Sequence, residues 1–262
     1  LDRGSDHFRN VRPCVREPLD SHEKSGILFH ETMSSVQKNL SEIHARIESA
    51  ATRCGRKASE IQLVAVSKTH PPELIREAFE AGQRAFGESR VQDALPKLDA
   101  LPVGIEWHFI GHLQSNKVKY IAPFVHLIHG VDSEKLLIEI NKQGKKINRK
   151  INCLLQIHIA QEETKFGFDL SEFEGIIADL SRWPNVNVLG VMGMSSVTEN
   201  TEQIRSEFKA LKQASDRLVA LYPAANILSM GMSGDYLLAI EEGSNMVRIG
   251  STLFGARQYN AS

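Results

Sequence analysis

Cysteine is scarce. Cys14, Cys54 and Cys153 are too few and too far apart in 262 residues for a disulfide framework or a thiolate zinc site, and a reducing cytoplasm suits them better. Neither sign of charge dominates: the formal net charge is −1, which removes the electrostatic case for nucleic acid or an anionic membrane as partner. No apolar run approaches the roughly 18 residues that a membrane span needs. Ten histidines are many, yet they are scattered and form no HExxH or comparable ligand spacing. GxGxxG and GxxxxGK[ST] are missing too, which disfavours nucleotide-binding open sheets. What is present is 42% hydrophobic and 24% charged, an ordinary water-soluble globular composition, long enough for one large core or two small domains.

Residues 1–32 are polar, mixed in charge and without a clear period. Asp2, Asp6, Glu17, Asp20 and Glu23 argue against a transit peptide, which would be acid-poor. A disordered extension is expected there. No low-complexity linker divides the remainder, so residues 33–262 read as one domain.

From Met33 the chain alternates. Residues 34–53 predict an amphipathic helix, with Val36, Leu40, Ile43, Ile47 and Ala50 on one face and Ser34 or Ser35 as N-cap. Eight short β-rich segments follow, near 61–68, 84–89, 105–111, 125–131, 151–160, 186–194, 226–231 and 246–251. Helical stretches lie between them at 71–81, 91–100, 114–121, 133–146, 170–182, 200–221 and 235–242. Gly82 and Gly243 suit the left-handed residue that closes a helix before the next strand. Strand–helix alternation predicts a parallel sheet. Eight such units in about 200 residues predict an α/β fold with a single closed (β/α)8 barrel of TIM type, with a doubly wound open sheet as the rival.

In VAVSKTHPP, residues 64–72, Lys68 ends the first predicted strand, and strand C-termini form the active face of such barrels. Desolvation there favours a neutral amine able to attack a carbonyl and form a Schiff base. The plain alternative is a lysine that snorkels to solvent or pairs with Glu88. Strands 7 and 8 run into Ser229-Met-Gly-Met-Ser-Gly234 and Arg248-Ile-Gly-Ser-Thr252. Glycine- and serine-rich loops after these strands often hold phosphate through backbone N–H groups. A phosphate and an aldehyde within reach of one lysine describe pyridoxal 5′-phosphate. A sugar phosphate on a class I aldolase lysine is the competing description. Arg248 would approach the pyridine nitrogen. A guanidinium only donates, so it would keep that nitrogen unprotonated and weaken the ring as an electron sink.

The stretches VAVSKTHP, FGESRVQDA, WHFIGHLQSNK, LLQIHIAQEETKFG, GVMGM and LSMGMSGDYLLAIEEGSNMVRIGSTLFGAR resemble, in order and across roughly residues 34–257, the YggS/PROSC-type pyridoxal phosphate homeostasis proteins. The resemblance implies a fold-type III barrel, similar to the N-terminal domain of alanine racemase, with the cofactor as an internal aldimine on Lys68. By the same motif matching, Ser229, Gly250 and Ser251 would hold the phosphate and Arg248 would face the pyridine nitrogen. Ser251 stands where many relatives have threonine, which keeps the hydroxyl. Ser89 and His158 stand where asparagine is common, which puts any ring contact of Ser89 in doubt and leaves His158 without a role. Residues 1–32 have no counterpart in the family.

Racemases and decarboxylases of this fold carry a second, β-rich domain that supplies an acid/base residue. After the eighth predicted strand only LFGARQYNAS remains, so no such domain is expected. The expectation is a cytoplasmic cofactor carrier, monomeric, with apo forms of pyridoxal-phosphate enzymes as candidate recipients and no metal. The rival is a small racemase or lyase using His108, His112 or Lys165 as base. Structural roles are the default for the first two and solvation for the third. Trp107 reads as barrel packing, and Met192, Met194, Met230 and Met232 as core or rim packing. Lys145, Lys146, Arg149 and Lys150 read as a solvated turn at a helix end.

Overall fold

The computed structural model describes residues 33–162 and 166–255. The extension expected at 1–32 and the candidate base Lys165 lie outside the described residues.

The first helix, α1 (Ser35–Arg53), begins where its sequence says it should. Ser34 Oγ accepts from the Gln37 amide at 3.2 Å and Gln37 Oε1 accepts from the Ser34 amide at 3.0 Å, a reciprocal capping box. Ser34→Ala is expected to cost about 1 kcal/mol, read as a lower urea midpoint with an unchanged slope. Eight units follow: β1 (Gln62–Val66), α2 (Pro72–Glu80), β2 (Ala85–Glu88), α3 (Val91–Ala100), β3 (Glu106–Phe109), α4 (Val118–Ile121), β4 (Leu127–Val131), α5 (Glu134–Lys146), β5 (Ile151–Gln156), α6 (Leu170–Ile177), β6 (Val186–Met192), α7 (Thr201–Leu221), β7 (Ile227–Ser229), α8 (Tyr236–Glu241), β8 (Met246–Ile249) and α9 (Ser251–Phe254). Gly82 and Gly243 close α2 and α8 at φ of +100° and +101°.

Every strand pairs in parallel with its sequence neighbour, and β1 pairs with β8 from Gln62↔Met246 to Ala65↔Ile249, which closes the barrel. The open-sheet rival is thereby excluded. Alternation sorts the strand side chains into two sets. Val64, Ala85, Leu127, Leu154, Met192 and Met246 pack together within the barrel, while their neighbours face the helices. Trp107 packs outward against Phe86, with ring centres 6.4 Å apart, as the packing reading expected. The apolar face of α1 (Val36, Leu40, Ile43, Ile47) is buried with Ile249 and Leu253, and Asn39 Nδ2 donates to the Leu253 carbonyl at 2.9 Å.

Two predicted helices are interrupted. The stretch 114–121 opens as a 3₁₀ turn, Ser115–Lys117, before α4. The stretch 170–182 breaks after α6 because Asp179 accepts from the Ser181 amide at 3.0 Å and starts a separate 3₁₀ turn. Arg149 corrects the solvated-turn reading: its guanidinium donates to the carbonyls of Ala122 and Val125, both at 2.5 Å, tying down the end of α4. Lys145, Lys146 and Lys150 are exposed as expected.

Candidate functional site

The predicted strands overrun the observed ones at their C-terminal ends, and the overrun residues build the site. Lys68 lies two residues beyond β1, in a turn rather than on the strand. The Ser67 amide still donates to the Gly87 carbonyl at 3.0 Å, extending the β1–β2 ladder by one bond. Then the chain turns sharply: Thr69 sits at φ +66°, and the His70 amide returns to the Ser67 carbonyl at 3.1 Å. A β-branched residue in the left-handed region costs on the order of 1–3 kcal/mol, and such strain persists only where surroundings enforce it.

A buried polar triad beneath the turn enforces it. Glu88 Oε1, at the end of β2, accepts from Ser67 Oγ at 2.6 Å and from Lys97 Nζ of α3 at 2.6 Å. Lys97 Nζ also donates to the Ser67 carbonyl at 2.9 Å. Glu88 is therefore held by Ser67 and Lys97, and the pairing considered for it with Lys68 is replaced by this network. Sequence reasoning missed Lys97, since a lysine inside a helix signals solvent unless its burial is known.

Lys68 lines a cavity of about 260 Å³ together with Arg248, Gly250, Ser251, Ser233 and Gly234. Four of the five expected site residues thus meet at one place. The fifth, Ser229, does not line it. Its hydroxyl is fully buried at the end of β7, where it accepts from Arg248 Nη1 at 2.6 Å. Ser229, expected at the phosphate, is still in the strand with its hydroxyl toward Arg248 and His129, whereas Ser233, four residues on, has left the sheet and lines the cavity. Ser233 Oγ accepts from the Gly250 amide at 3.3 Å, joining the loops after β7 and β8. The alternating Ser-Met-Gly-Met-Ser pattern gave no signal to choose between the two serines.

The amides of Ser233, Gly234 and Ser251, three residues that line the cavity, carry no hydrogen bond to a described residue and so stand as three donors from the last two loops. Gly250 permits the approach: a Cβ there would meet Val66 Cβ at 3.1 Å and the Val66 carbonyl at 3.2 Å. The His70 ring contacts Phe254 of α9, with centres 5.0 Å apart, and so links the Lys68 turn to the same loop. Met194 and Met232 line the cavity, whereas Met192 packs inside the barrel and Met230 in the helix-facing core.

Arg248, 3% exposed, is fixed by three acceptors: the Ser229 carbonyl at 3.0 Å, Ser229 Oγ at 2.6 Å and the Gly193 carbonyl at 3.1 Å. Burial pushes its guanidinium down to about 10, with Asp235 pulling the other way, so it stays cationic at neutral pH. Behind it runs a chain that spans non-adjacent strands through the barrel interior. His129 Nδ1 lies 3.2 Å from Ser229 Oγ, and His108 Nδ1 lies 2.9 Å from His129 Nε2. Burial, then the neighbouring His126, pushes His108 down to about 3. Burial, then His108 and Arg248, hold His129 well below the usual imidazole range. Both rings are neutral in ordinary buffers. His112 is engaged by Asp132 at 2.8 Å and faces Phe166 with ring centres 3.9 Å apart. With Ser89, it lines a separate polar depression rather than the Lys68 cavity. His158 Nε2 bonds the Glu162 carbonyl at 3.0 Å.

The alanine racemase N-terminal domain family matches residues 39–258. The pyridoxal phosphate homeostasis protein of Aquifex aeolicus is 43% identical over 224 residues, 85% of this chain and 98% of that one. PipY of Synechococcus elongatus, solved with PLP bound, is 32% identical with a TM-score of 0.73, covering 84% of this chain and all of PipY. The alanine racemase of Bartonella henselae, 16% identical, superposes with a TM-score of 0.65 over 87% of this chain and 61% of its own, a likeness of fold. The chain belongs to the alanine racemase N-terminal domain family, in its branch of pyridoxal phosphate homeostasis proteins.

Proposed function

We propose that this protein binds pyridoxal 5′-phosphate covalently on Lys68 and serves in its homeostasis, holding the cofactor for delivery rather than turning over amino acids. The observation that carries this reading is the meeting, in one cavity, of Lys68 from the turn after the first strand with Ser233, Gly234, Gly250 and Ser251 from the last two loops. The names of the curated relatives and the bound cofactor of PipY support it.

When bound, the cofactor supplies an aldehyde that condenses with an amine and a ring that withdraws electrons. The chain's own residues set how far that chemistry goes. Ser233, Gly234, Gly250, Ser251 and Thr252 would hold the phosphate through backbone N–H groups and hydroxyls. Arg248 would donate to the ring nitrogen. Being charged and donor-only, it would hold that nitrogen unprotonated and weaken the electron withdrawal that α-carbon chemistry needs. Ser229 positions Arg248. Neither histidine weighed as a catalytic base reaches the cavity: His108 is buried and neutral, and His112 is bonded to Asp132 away from it, while the histidine that does line the cavity, His70, packs its ring on Phe254. We place the activity in the cytoplasm, in a monomer formed by residues 33–262, with apo forms of pyridoxal-phosphate enzymes as recipients.

Protein mixed with pyridoxal phosphate should develop the visible absorbance of a lysine-bound cofactor, abolished by borohydride. Left with L- or D-alanine in D2O, the holoprotein should keep the α-proton over hours. Rapid deuterium exchange would sink the carrier reading in favour of a small racemase or lyase.

A further inference from the structure

At the opposite mouth of the barrel, Glu106 opens β3, His108 follows two residues on, and His126 immediately precedes β4. One ligand atom from each of the three lies within 4.8 Å of the others. We propose that Glu106, His108 and His126 form a binding site for a divalent transition-metal ion such as Zn²⁺, remote from Lys68.

The second observation is the state of His108. Its Nδ1 is occupied by His129, whereas its Nε2 is buried without a hydrogen-bond partner. A buried, unsatisfied ring nitrogen costs stability unless something fills it. Because the ring is neutral, that nitrogen can offer a lone pair once Nδ1 carries the proton. The tautomer is consistent along the whole chain. With that tautomer His108 Nδ1–H would donate to His129 Nε2 and His129 Nδ1–H to Ser229 Oγ, which also accepts from Arg248. Metal-bound histidines characteristically donate their second ring N–H to such a partner, which raises their basicity.

The other two groups are uncommitted. Among the described residues, neither the Glu106 carboxylate nor the His126 ring has a hydrogen bond or ion pair, so no local cation competes for them. The His108 and His126 ring centres are 5.3 Å apart. An imidazole binding at about 2.05 Å puts its centre about 3.2 Å from the ion, so that spacing subtends about 110°, as around a tetrahedral ion. The rings are near parallel, at 20°, so ligation requires the exposed His126 to swing its lone pair inward. Two imidazoles and one carboxylate select zinc, cobalt or copper over magnesium or calcium and leave a fourth position to water.

The experiment is equilibrium dialysis of the full chain against Zn²⁺, with Co²⁺ as spectroscopic probe. One equivalent should bind, with visible cobalt bands of tetrahedral nitrogen and oxygen ligation. His126→Ala and Glu106→Gln, both at accessible positions, should each weaken it roughly tenfold or more, since even the outer partners of a metal ligand are worth about that. Unchanged affinity in both variants, no stoichiometric uptake, or a thiolate charge-transfer band placing the ion on Cys54 would each overturn the proposal. Because the site lies away from the Lys68 cavity, the outcome is independent of whether the chain retains pyridoxal phosphate.

Discussion

Lys68→Ala should abolish covalent retention of pyridoxal phosphate completely, leaving no borohydride-fixed adduct by mass and no visible lysine-bound band. Lys68 is the one lysine on the described lining of the cavity, and the other cationic side chain there, Arg248, is a guanidinium that does not condense with aldehydes under these conditions. The proposed phosphate cradle would be built from backbone amides of other loops, which the substitution leaves untouched. The variant should therefore still bind the cofactor weakly and reversibly, seen as an unshifted free-aldehyde spectrum on equilibrium dialysis. A fixed adduct at one equivalent in Lys68→Ala would move the attachment point elsewhere. Lys97 is no substitute, since its ammonium is buried against Glu88 and Ser67 on the far side of the turn.

Lys97→Met should be the most destabilising single change outside the apolar core. Glu88 is 2% exposed and Lys97 8%. One carboxylate oxygen, Oε2, already lacks a partner, and Oε1 would keep only the Ser67 hydroxyl. Breaking a buried pair by removing one partner costs about 3–5 kcal/mol, because the surviving charge stays desolvated. That is a large part of the roughly 5–15 kcal/mol that holds a typical domain folded. Adding Glu88→Gln should recover most of the loss, since no charge is then stranded. Urea unfolding of the two variants measures both terms. A loss below about 1 kcal/mol in Lys97→Met would mean that the pair behaves as a solvated surface bridge. The same variant removes one of the two donors to the Ser67 carbonyl, leaving only the His70 amide to hold the strained Thr69 turn, so cofactor retention should decline alongside stability.

The barrel was legible because its signal is repeated eight times: a β-branched run, a turn, an amphipathic stretch. The starts of strands were easy to read and their ends were not. At 246–251 the apolar pattern continues through Ile249 into Gly250 and Ser251, which have left the sheet to open α9. At 186–194 it runs past Met192 to Met194, which lines the cavity. Periodicity reports which residues avoid water, and cavity walls avoid it as strands do. Lys68 and Arg248 stood out because charge at the end of an apolar run has few bland explanations. Ser229 and Ser233 could not be told apart, because one register step in the loop decides which hydroxyl faces the cavity. His108 was readable only as an isolated strand-end histidine, and its partner His129 drew no reading at all. Their contact depends on β3 and β4 both pointing them inward, and the line to Ser229 depends on closure that lets inward side chains of β4 and β7 meet across the interior.

The seam between β1 and β8 has a temporal side. During synthesis the segment bearing Lys68 is made well before Arg248, Gly250 and Ser251, and only pairing of β1 with β8 brings them to one cavity. On the proposed reading, a nascent or prematurely released chain would carry Lys68 without the loops proposed to hold the phosphate and without Arg248. Vitamin capture is thereby deferred until the ring of strands is complete, and an unfinished polypeptide has no means of withdrawing aldehyde from the cellular pool by this route.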